Sequence, residues 1–330
     1  MQTTHLFKRA ALGLALTTAL SPAIAAQDWQ LADVQAFYLH QPPGSFTGIY
    51  RSQGIAVNGN EFVFSWQYGL ERTDANFNSL QRNSNIGSGG LTPGIPSDLF
   101  AQGLNHIGDI DVQGGIIYAS LDSTNGYKQP HVALFNAADL SYTGKSFTLA
   151  GTPANPNGDL ASWVAVDAAR GYGYGKEWRN GNTLNVYNLS DWSFSHTIQM
   201  DSSLKNIQGA KVVGDWLYMA SDNADQGIYR SNLLTGHLEE VLRIPKPDGD
   251  LEIEGIAMRQ NANGALDMYV ELIVDPDRSD QSLTNQNLHV NLYHYQLAAT
   301  VPEPQSYALL LAGLGLLGAV RRRAAPFKVM

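Results

Sequence analysis

The sequence contains no cysteine, so disulfide bonds contribute nothing to its fold and the body must be held by its own core. It also lacks three common catalytic signatures: a G-x-S-x-G nucleophile motif, a glycine-rich phosphate-binding loop and a helical pair of histidines. No run in the body keeps a helical period. These absences exclude the simplest serine, nucleotide-binding and zinc enzymes, and no motif in the body specifies a reaction.

Positive charge is scarce as well. The chain has 21 basic and 30 acidic residues, for a net charge of -9. Several of the bases lie close to the two ends, at Lys8, Arg9, Arg321–Arg323 and Lys328, so the body between them is more acidic still. This balance argues against nucleic acid or an anionic lipid surface as the partner of the body.

The first 25 residues have the pattern of a secretory signal peptide. Lys8 and Arg9 precede an apolar stretch from Ala10 to Leu20, and Ala23-Ile24-Ala25 supplies a small-x-small cleavage site. We therefore predict a signal peptide over residues 1–25, with cleavage after Ala25.

The C-terminal segment 301–330 has three parts in a fixed order. Pro302-Glu303-Pro304 is rigid and extended, because two prolines fix the backbone. The uncharged apolar run 307–320 follows, and as a helix it would span roughly 21 Å, somewhat less than the ~30 Å hydrocarbon layer. Arg321, Arg322 and Arg323 then favour a cytoplasmic end. We predict a short transmembrane helix over 307–320.

This order resembles the PEP-CTERM sorting tail of exported Gram-negative proteins. The resemblance implies that the tail is held in the inner membrane and is processed by an exosortase near the Pro-Glu-Pro motif. The expected partners are then the export machinery and exosortase. The expected location is the inner membrane before processing, and the outer surface or extracellular space afterwards.

Between the two ends, over residues 26–300, a hairpin pattern recurs five times. Each copy has a short alternating apolar run, a polar turn rich in Gly, Asn or Asp, and then an aromatic or β-branched run. The first apolar residues of the copies are Ile55, Ile110, Val164, Ala210 and Ile256, at intervals of 55, 54, 46 and 46 residues.

Periods of this length, each with room for about four strands, predict an all-β β-propeller of five blades. Six blades remain open if a degenerate blade lies within residues 67–104. The fifth repeat is one strand short, and we expect the strand near Trp29 to Leu39 to supply the missing outer strand and so to close the ring.

The innermost strands of a propeller line a central channel, so residues at one register should form a ring. Oxygen-bearing side chains at or near that register are candidate ligands of Ca²⁺, which prefers six to eight oxygens: Glu254, Gln53, Gln208 and Asp109. Other candidates for the channel mouth are His106, Asn105, Asn206 and Glu252. A water-filled polar channel without a metal is the alternative interpretation, and the residues do not identify a catalytic set.

Two segments, Ser162–Trp178 and Leu251–Ala257, are similar to pieces of the calcium-activated nucleotidases, which are five-bladed propellers. The resemblance implies that Glu254 is a calcium-binding glutamate, whereas Ser162 stands where that family has another glutamate. It also implies hydrolysis of nucleoside diphosphates at the channel mouth.

We therefore expect an exported surface or matrix β-propeller that binds through its channel face, with extracellular polysaccharide as a candidate partner. Aromatic side chains such as Tyr68, Tyr127, Trp178 and Trp192 either stack on sugars or pack in the core. The alternative function is a calcium-dependent hydrolase of phosphate esters or lactones that acts at the central channel.

Overall fold

The computed structural model describes residues 29–39, 47–87, 90–126, 128–150, 159–261, 264–277 and 287–297. They belong to one compact unit that spans residues 28–299. The predicted signal peptide, the predicted helix 307–320 and the sorting motif all lie outside the described residues. The domain boundaries at residues 25 and 301 therefore stay predictions.

The chain begins its described part with an outer strand and continues into the first blade. Strand β1 (Trp29–Tyr38) precedes a short 3-10 helix (Thr47–Arg51). Blade 1 consists of β2 (Gly54–Asn58), β3 (Glu61–Trp66), β4 (Gly69–Thr73) and β5 (Ser79–Arg82). A hairpin of β6 (Asn85–Gly87) and β7 (Gly90–Thr92) and the helix α1 (Ser97–Ala101) then lead to blade 2.

The remaining blades follow in chain order. Blade 2 has β8 (His106–Gln113), β9 (Ile116–Ser123), β10 (Lys128–Asn136) and β11 (Tyr142–Thr148). Blade 3 has β12 (Ala165–Asp167), β13 (Tyr172–Gly175), β14 (Gly181–Asn188) and β15 (Phe194–Leu204). Blade 4 has β16 (Ile207–Val213), β17 (Trp216–Ser221), β18 (Gly227–Asn232) and β19 (Leu238–Arg243). Blade 5 has β20 (Asp250–Gln260), β21 (Leu266–Val274) and β22 (His289–Leu297).

Each blade is one sheet of four antiparallel strands, and the five blades form a β-propeller. The prediction of five blades is confirmed. The open alternative of a sixth blade within residues 67–104 is not, because the described residues there form β4, β5, the β6–β7 hairpin and α1, with no further four-stranded sheet.

Strand β1 closes the ring. It pairs antiparallel with β22 from Trp29↔Leu297 to Tyr38↔His289 and becomes the outer strand of blade 5. The N-terminal end of the unit thus completes the blade made by its C-terminal end, as the sequence predicted, and one polar sheet edge of β22 is covered.

Apolar residues pack between neighbouring blades rather than within one central core. One cluster joins blades 3 and 4 through Trp163, Tyr174, Leu217 and Met219. Equivalent clusters join the other adjacent pairs, including blades 5 and 1. Since burial of this surface is the main favourable term in folding, each blade gains stability from both of its neighbours.

A glycine with positive φ lies at the turn of the inner hairpin in every blade. Gly59 and Gly214 have φ of 64° and 60°, and Gly171 and Gly264 are positive as well. A Cβ at Gly59 would meet nothing within 4 Å. The positive φ of the backbone, and not a lack of room for a side chain, therefore favours glycine at these turns.

Candidate functional site

A layer of glycines closes the middle of the ring. A Cβ at Gly54 would lie 2.5 Å from Asp109 Cα, one at Gly108 would lie 2.2 Å from the Ser162 carbonyl oxygen, and one at Gly255 would lie 2.5 Å from Gly54 Cα. The innermost strands therefore approach one another here as closely as their backbones allow.

Asp109 fills the centre of this layer. Its Oδ1 accepts a hydrogen bond from the Ile55 backbone N–H at 3.3 Å, and its Oδ2 accepts from the Ala210 N–H at 3.0 Å. Lys211 Nζ donates to the same Oδ2 at 2.7 Å. One side chain of blade 2 thus fastens blades 1 and 4 across the axis, and a cavity lies at either end of the inner strands.

The cavity where the innermost strands begin, called here the upper cavity, has a volume of about 270 Å³. Five of the predicted residues line it: Gln53, His106, Gln208, Glu252 and Glu254. The other lining residues are Asp122, Leu160, Ser162 and Trp178. Predicted residues from four blades therefore lie around one cavity.

A chain of hydrogen bonds runs along one wall of the upper cavity. Gln53 Nε2 donates to the Ser52 carbonyl oxygen at 2.9 Å and to Glu254 Oε1 at 3.3 Å. The amide oxygen of Gln53 is thereby turned towards His106 Nε2, which lies 2.6 Å away and carries the proton of that bond. His106 Nδ1 lies 2.9 Å from Asp122 Oδ1, so the imidazole is fixed through both ring nitrogens.

The two glutamates of β20 continue this lining beyond Gln53. Gln208 Nε2 donates to Glu252 Oε1. Burial raises the pKa of Glu252, and the negative charge of Asp222 adds to that rise. Burial also raises the pKa of Glu254 well above its usual range, and the carboxyls of Glu252 and Glu271 raise it further.

Three predicted residues lie elsewhere. Asp109 is fully buried in the glycine layer and paired with Lys211. Asn105 is occupied in a turn, where its Oδ1 accepts from the Thr124 N–H at 3.0 Å. Asn206 Nδ2 donates to the Asp222 carbonyl oxygen at 3.1 Å. None of the three lines the upper cavity.

Sequence reasoning did not select Asp122, which belongs to β9, the second strand of blade 2. It offered Trp178 only as an aromatic that either stacks on sugars or packs in the core; Trp178 follows β13 in a connection and lines the cavity. Glu271 was missed as well: it is fully buried on β21, and neither of its carboxyl oxygens has a hydrogen-bond partner among the described residues. The Gly255 N–H lies nearby but does not reach hydrogen-bond geometry.

The residues present do not form an evident calcium site. No group of three or more His, Asp or Glu side chains in the described part of the chain is arranged to hold a metal ion. The amide nitrogens of Gln53 and Gln208, not their oxygens, face the glutamates. Calcium binding stays a prediction without support from this geometry.

At the other end of the strands lies a wider lower cavity of about 940 Å³, lined among others by Val57, Asp111, Lys211 and Met258. Arg170 at its rim is paired with Asp167 at 2.7 Å and also with Asp215. The charges that line this cavity are thus largely matched, unlike those of the upper cavity.

The comparisons with known proteins bear on the tail and the fold. Residues 300–324 match the model of the PEP-CTERM protein-sorting motif. The chain carries a PEP-CTERM sorting signal. The PEP-CTERM match contains Pro302, Glu303, Pro304 and Arg321–Arg323, and it indicates an exported protein that is anchored in the membrane before exosortase cleavage. No helix within the described residues is long and apolar enough to cross a membrane.

Similar solved structures include the hydrazine synthase of Kuenenia stuttgartiensis, with 10% identity and a TM-score of 0.38 over 68% of this chain and 56% of that one. The tail fiber of Staphylococcus aureus phage P68 has 15% identity and a TM-score of 0.45 over 92% and 57%. Apo AztD from Citrobacter koseri has 12% identity and a TM-score of 0.32 over 59% and 46%.

The chain spans about half the length of the solved structures it matches. A search of curated proteins finds no match to this chain. The resemblance to calcium-activated nucleotidases is therefore not confirmed, and the propeller assignment rests on the five sheets of the chain itself.

Proposed function

We propose that this exported propeller is a cell-surface or matrix binding protein that holds a carbohydrate of the extracellular polysaccharide in its upper cavity. The observation that supports it is the lining of that cavity: amide, imidazole and carboxyl groups beside the indole of Trp178. Convergent polar groups with one aromatic wall suit a ligand that has many hydroxyls and one apolar face.

The polar groups are preorganised for such a ligand. Gln53 and His106 are held by the hydrogen-bond chain that ends at Asp122, and Gln208 is held by Glu252. A ligand that enters meets side chains that are already ordered, so it avoids much of the entropic cost of ordering them. The sorting signal supports the proposal, because an exported protein reaches the compartment in which extracellular polysaccharide is found.

The test is binding of the full-length protein, in mild detergent, to an array of bacterial extracellular polysaccharides and their oligosaccharides. We expect retention that Trp178→Ala weakens by roughly tenfold, the size of a stacking contact. Trp216→Ala is the matched control, because Trp216 lies on β17 outside the upper cavity and packs on Arg230 at 4.2 Å. Absence of retention on every glycan would refute the proposal.

A second candidate is the hydrolase of phosphate esters or lactones, and the observation in its favour is the position of His106. The imidazole is oriented by Asp122 and faces a cavity that contains two glutamates. Burial raises the pKa of Glu252, so this carboxyl retains its proton to higher pH, as a general acid must.

The hydrolase predicts turnover of such esters that Glu252→Gln, which removes the acid, reduces by at least about a hundredfold, and that Glu254→Gln beside it also reduces. Assays with added Ca²⁺ and with EDTA would show whether this hydrolysis needs the metal. Folded protein that is inactive across the panel, with and without Ca²⁺, would remove this candidate.

A further inference from the structure

The upper cavity contains two carboxyl groups that have no Lys or Arg partner among the described residues. Lys211 is paired with Asp109 beneath the cavity, and His106 is paired with Asp122 in its wall. Among the described residues, no Lys or Arg forms an ion pair with Glu252 or Glu254. These two glutamates share one face of β20, two residues apart, and each therefore opposes ionisation of the other.

Glu254 is the more constrained of the two. Glu254 is only 3% exposed, and the one hydrogen bond that its side chain accepts is the 3.3 Å contact from Gln53 Nε2. No donor among the described residues reaches its other oxygen, although the side chain lines the cavity. A buried carboxylate in this position is stable only with a proton or with a cation from outside.

The cavity suits an organic cation better than a metal ion. Its volume of about 270 Å³ far exceeds the space that one ion fills. A metal ion needs several ligands at one point, and no group of three or more His, Asp or Glu side chains in the described residues is arranged to hold one. An ammonium group needs only acceptors around it, and the indole of Trp178 in the same lining offers a cation–π surface.

We infer that the upper cavity binds a protonated amino sugar, whose ammonium group lies against the carboxylates of Glu254 and Glu252. The inference rests on the proposed carbohydrate binding and specifies the class of sugar. The sugar ring then occupies the rest of the cavity, with Trp178 beside it and with hydroxyls in reach of Gln208 and His106. An N-acetylated or neutral sugar lacks the charge that offsets the two glutamates.

The test is calorimetric titration of the full-length protein in mild detergent at neutral pH, with glucosamine, N-acetylglucosamine, glucose, methylammonium and Ca²⁺ as separate ligands. We expect glucosamine to bind at least roughly tenfold more tightly than either other sugar, as befits one charge-assisted contact. Glu254→Gln should abolish that preference. Glu240→Gln should not, since Glu240 lies on β19 and pairs with Arg243 at 2.8 Å.

The outcomes separate this inference from the proposed function. Equal binding of glucose and glucosamine overturns the amino-sugar inference and leaves carbohydrate binding intact. Binding of Ca²⁺ or methylammonium without any sugar overturns the carbohydrate proposal, and binding of none of the ligands overturns both. If Glu254→Gln does not give the native circular dichroism spectrum, Glu252→Gln and competition by methylammonium provide the second measurement.

Discussion

Lys211 Nζ donates to Asp109 Oδ2 at 2.7 Å in the middle of the propeller, and the two side chains are only 6% and 0% exposed. They belong to blades 4 and 2, which are not neighbours in the ring. Burial nevertheless raises the pKa of Asp109 to about 7, against the opposing charge of Lys211. The pair therefore ties the ring together across its axis only while Asp109 is ionised.

Replacing Lys211 by Met tests this dependence. At pH 9 the variant leaves a buried carboxylate without its partner, and we expect the free energy of unfolding to fall by about 3–5 kcal/mol. Below pH 6 the loss should be smaller, because Asp109 then holds a proton. Urea unfolding at both pH values measures the difference, and Arg243→Met, which breaks a surface pair, should change little. An equal loss at both pH values would contradict the account.

The buried carboxyls also make the fold sensitive to alkali. The pKa of Asp109 rises from 3.8 to about 7 and that of Asp159 from 3.8 to about 6, both because of burial, and burial raises the pKa of Glu271 well above its range. A raised folded-state pKa means that the folded state holds more protons. The stability from these groups is complete below about pH 4 and declines as pH rises through about 6 to 7.

We therefore expect the melting temperature to fall between pH 5 and pH 8. Glu271→Gln removes a carboxyl that ionises readily in the unfolded chain but resists ionisation in the folded one, so it should stabilise the protein at pH 8 by on the order of 1 kcal/mol, with a smaller effect at pH 5. Glu61→Gln is a control on the surface, where Glu61 pairs with Arg72 at 3.1 Å. Thermal melts of the unmodified protein and of the two variants at both pH values measure these effects. A melting temperature of the unmodified protein that rises towards pH 8 would contradict the predicted sensitivity to alkali.

The sequence predicted the ring because repetition and alternation are local properties. Anchors such as Ile55 and Ile256 are buried in the inner strands, and the residues just before them, Gln53 and Glu254, reach one cavity. Each inner hairpin buries its apolar face against the next blade. Equivalent positions in successive repeats therefore meet at the axis, whatever conformation the loops adopt.

The rest of the site depends on tertiary detail. Counting back from the Gln113↔Ile116 pair would place His106 opposite Ser123, but a bulge between Ile107 and Ile110 shifts it to Asp122. No local pattern marks that bulge. Lys211 finds Asp109 across the axis, and Trp178 reaches the cavity from a connection between strands; neither contact follows from periodicity.

Closure of the ring by β1 gives a third prediction. Phe37 of β1 is 7% exposed, lies 6.0 Å from Phe64 of blade 1, ring centre to ring centre, and carries Arg51 over its face at 4.4 Å. Phe37→Ala should lower the free energy of unfolding by about 3–5 kcal/mol, because it opens a cavity between blades 5 and 1. Val34→Ala on the same strand, where Val34 is exposed, should change it little. Urea titration measures the loss in free energy of unfolding for each variant. Similar losses for the two variants would mean that β1 is not an integral strand.

Gly54 provides the most direct test of the closed centre. A Cβ there would lie 2.5 Å from the backbone of Asp109 and 2.7 Å from its Oδ1, so Gly54→Ala must displace an innermost strand of blade 2. We expect a loss of several kcal/mol, on the order of 3 or more, the size of severe overpacking. Gly59→Ala is the matched control, five residues further along, at the turn of the same hairpin. It strains a positive φ but meets no atom, and should cost only about 1 kcal/mol. If the two variants unfold at the same urea concentration, space at the ring centre is not limiting, and the separation into upper and lower cavities fails with it.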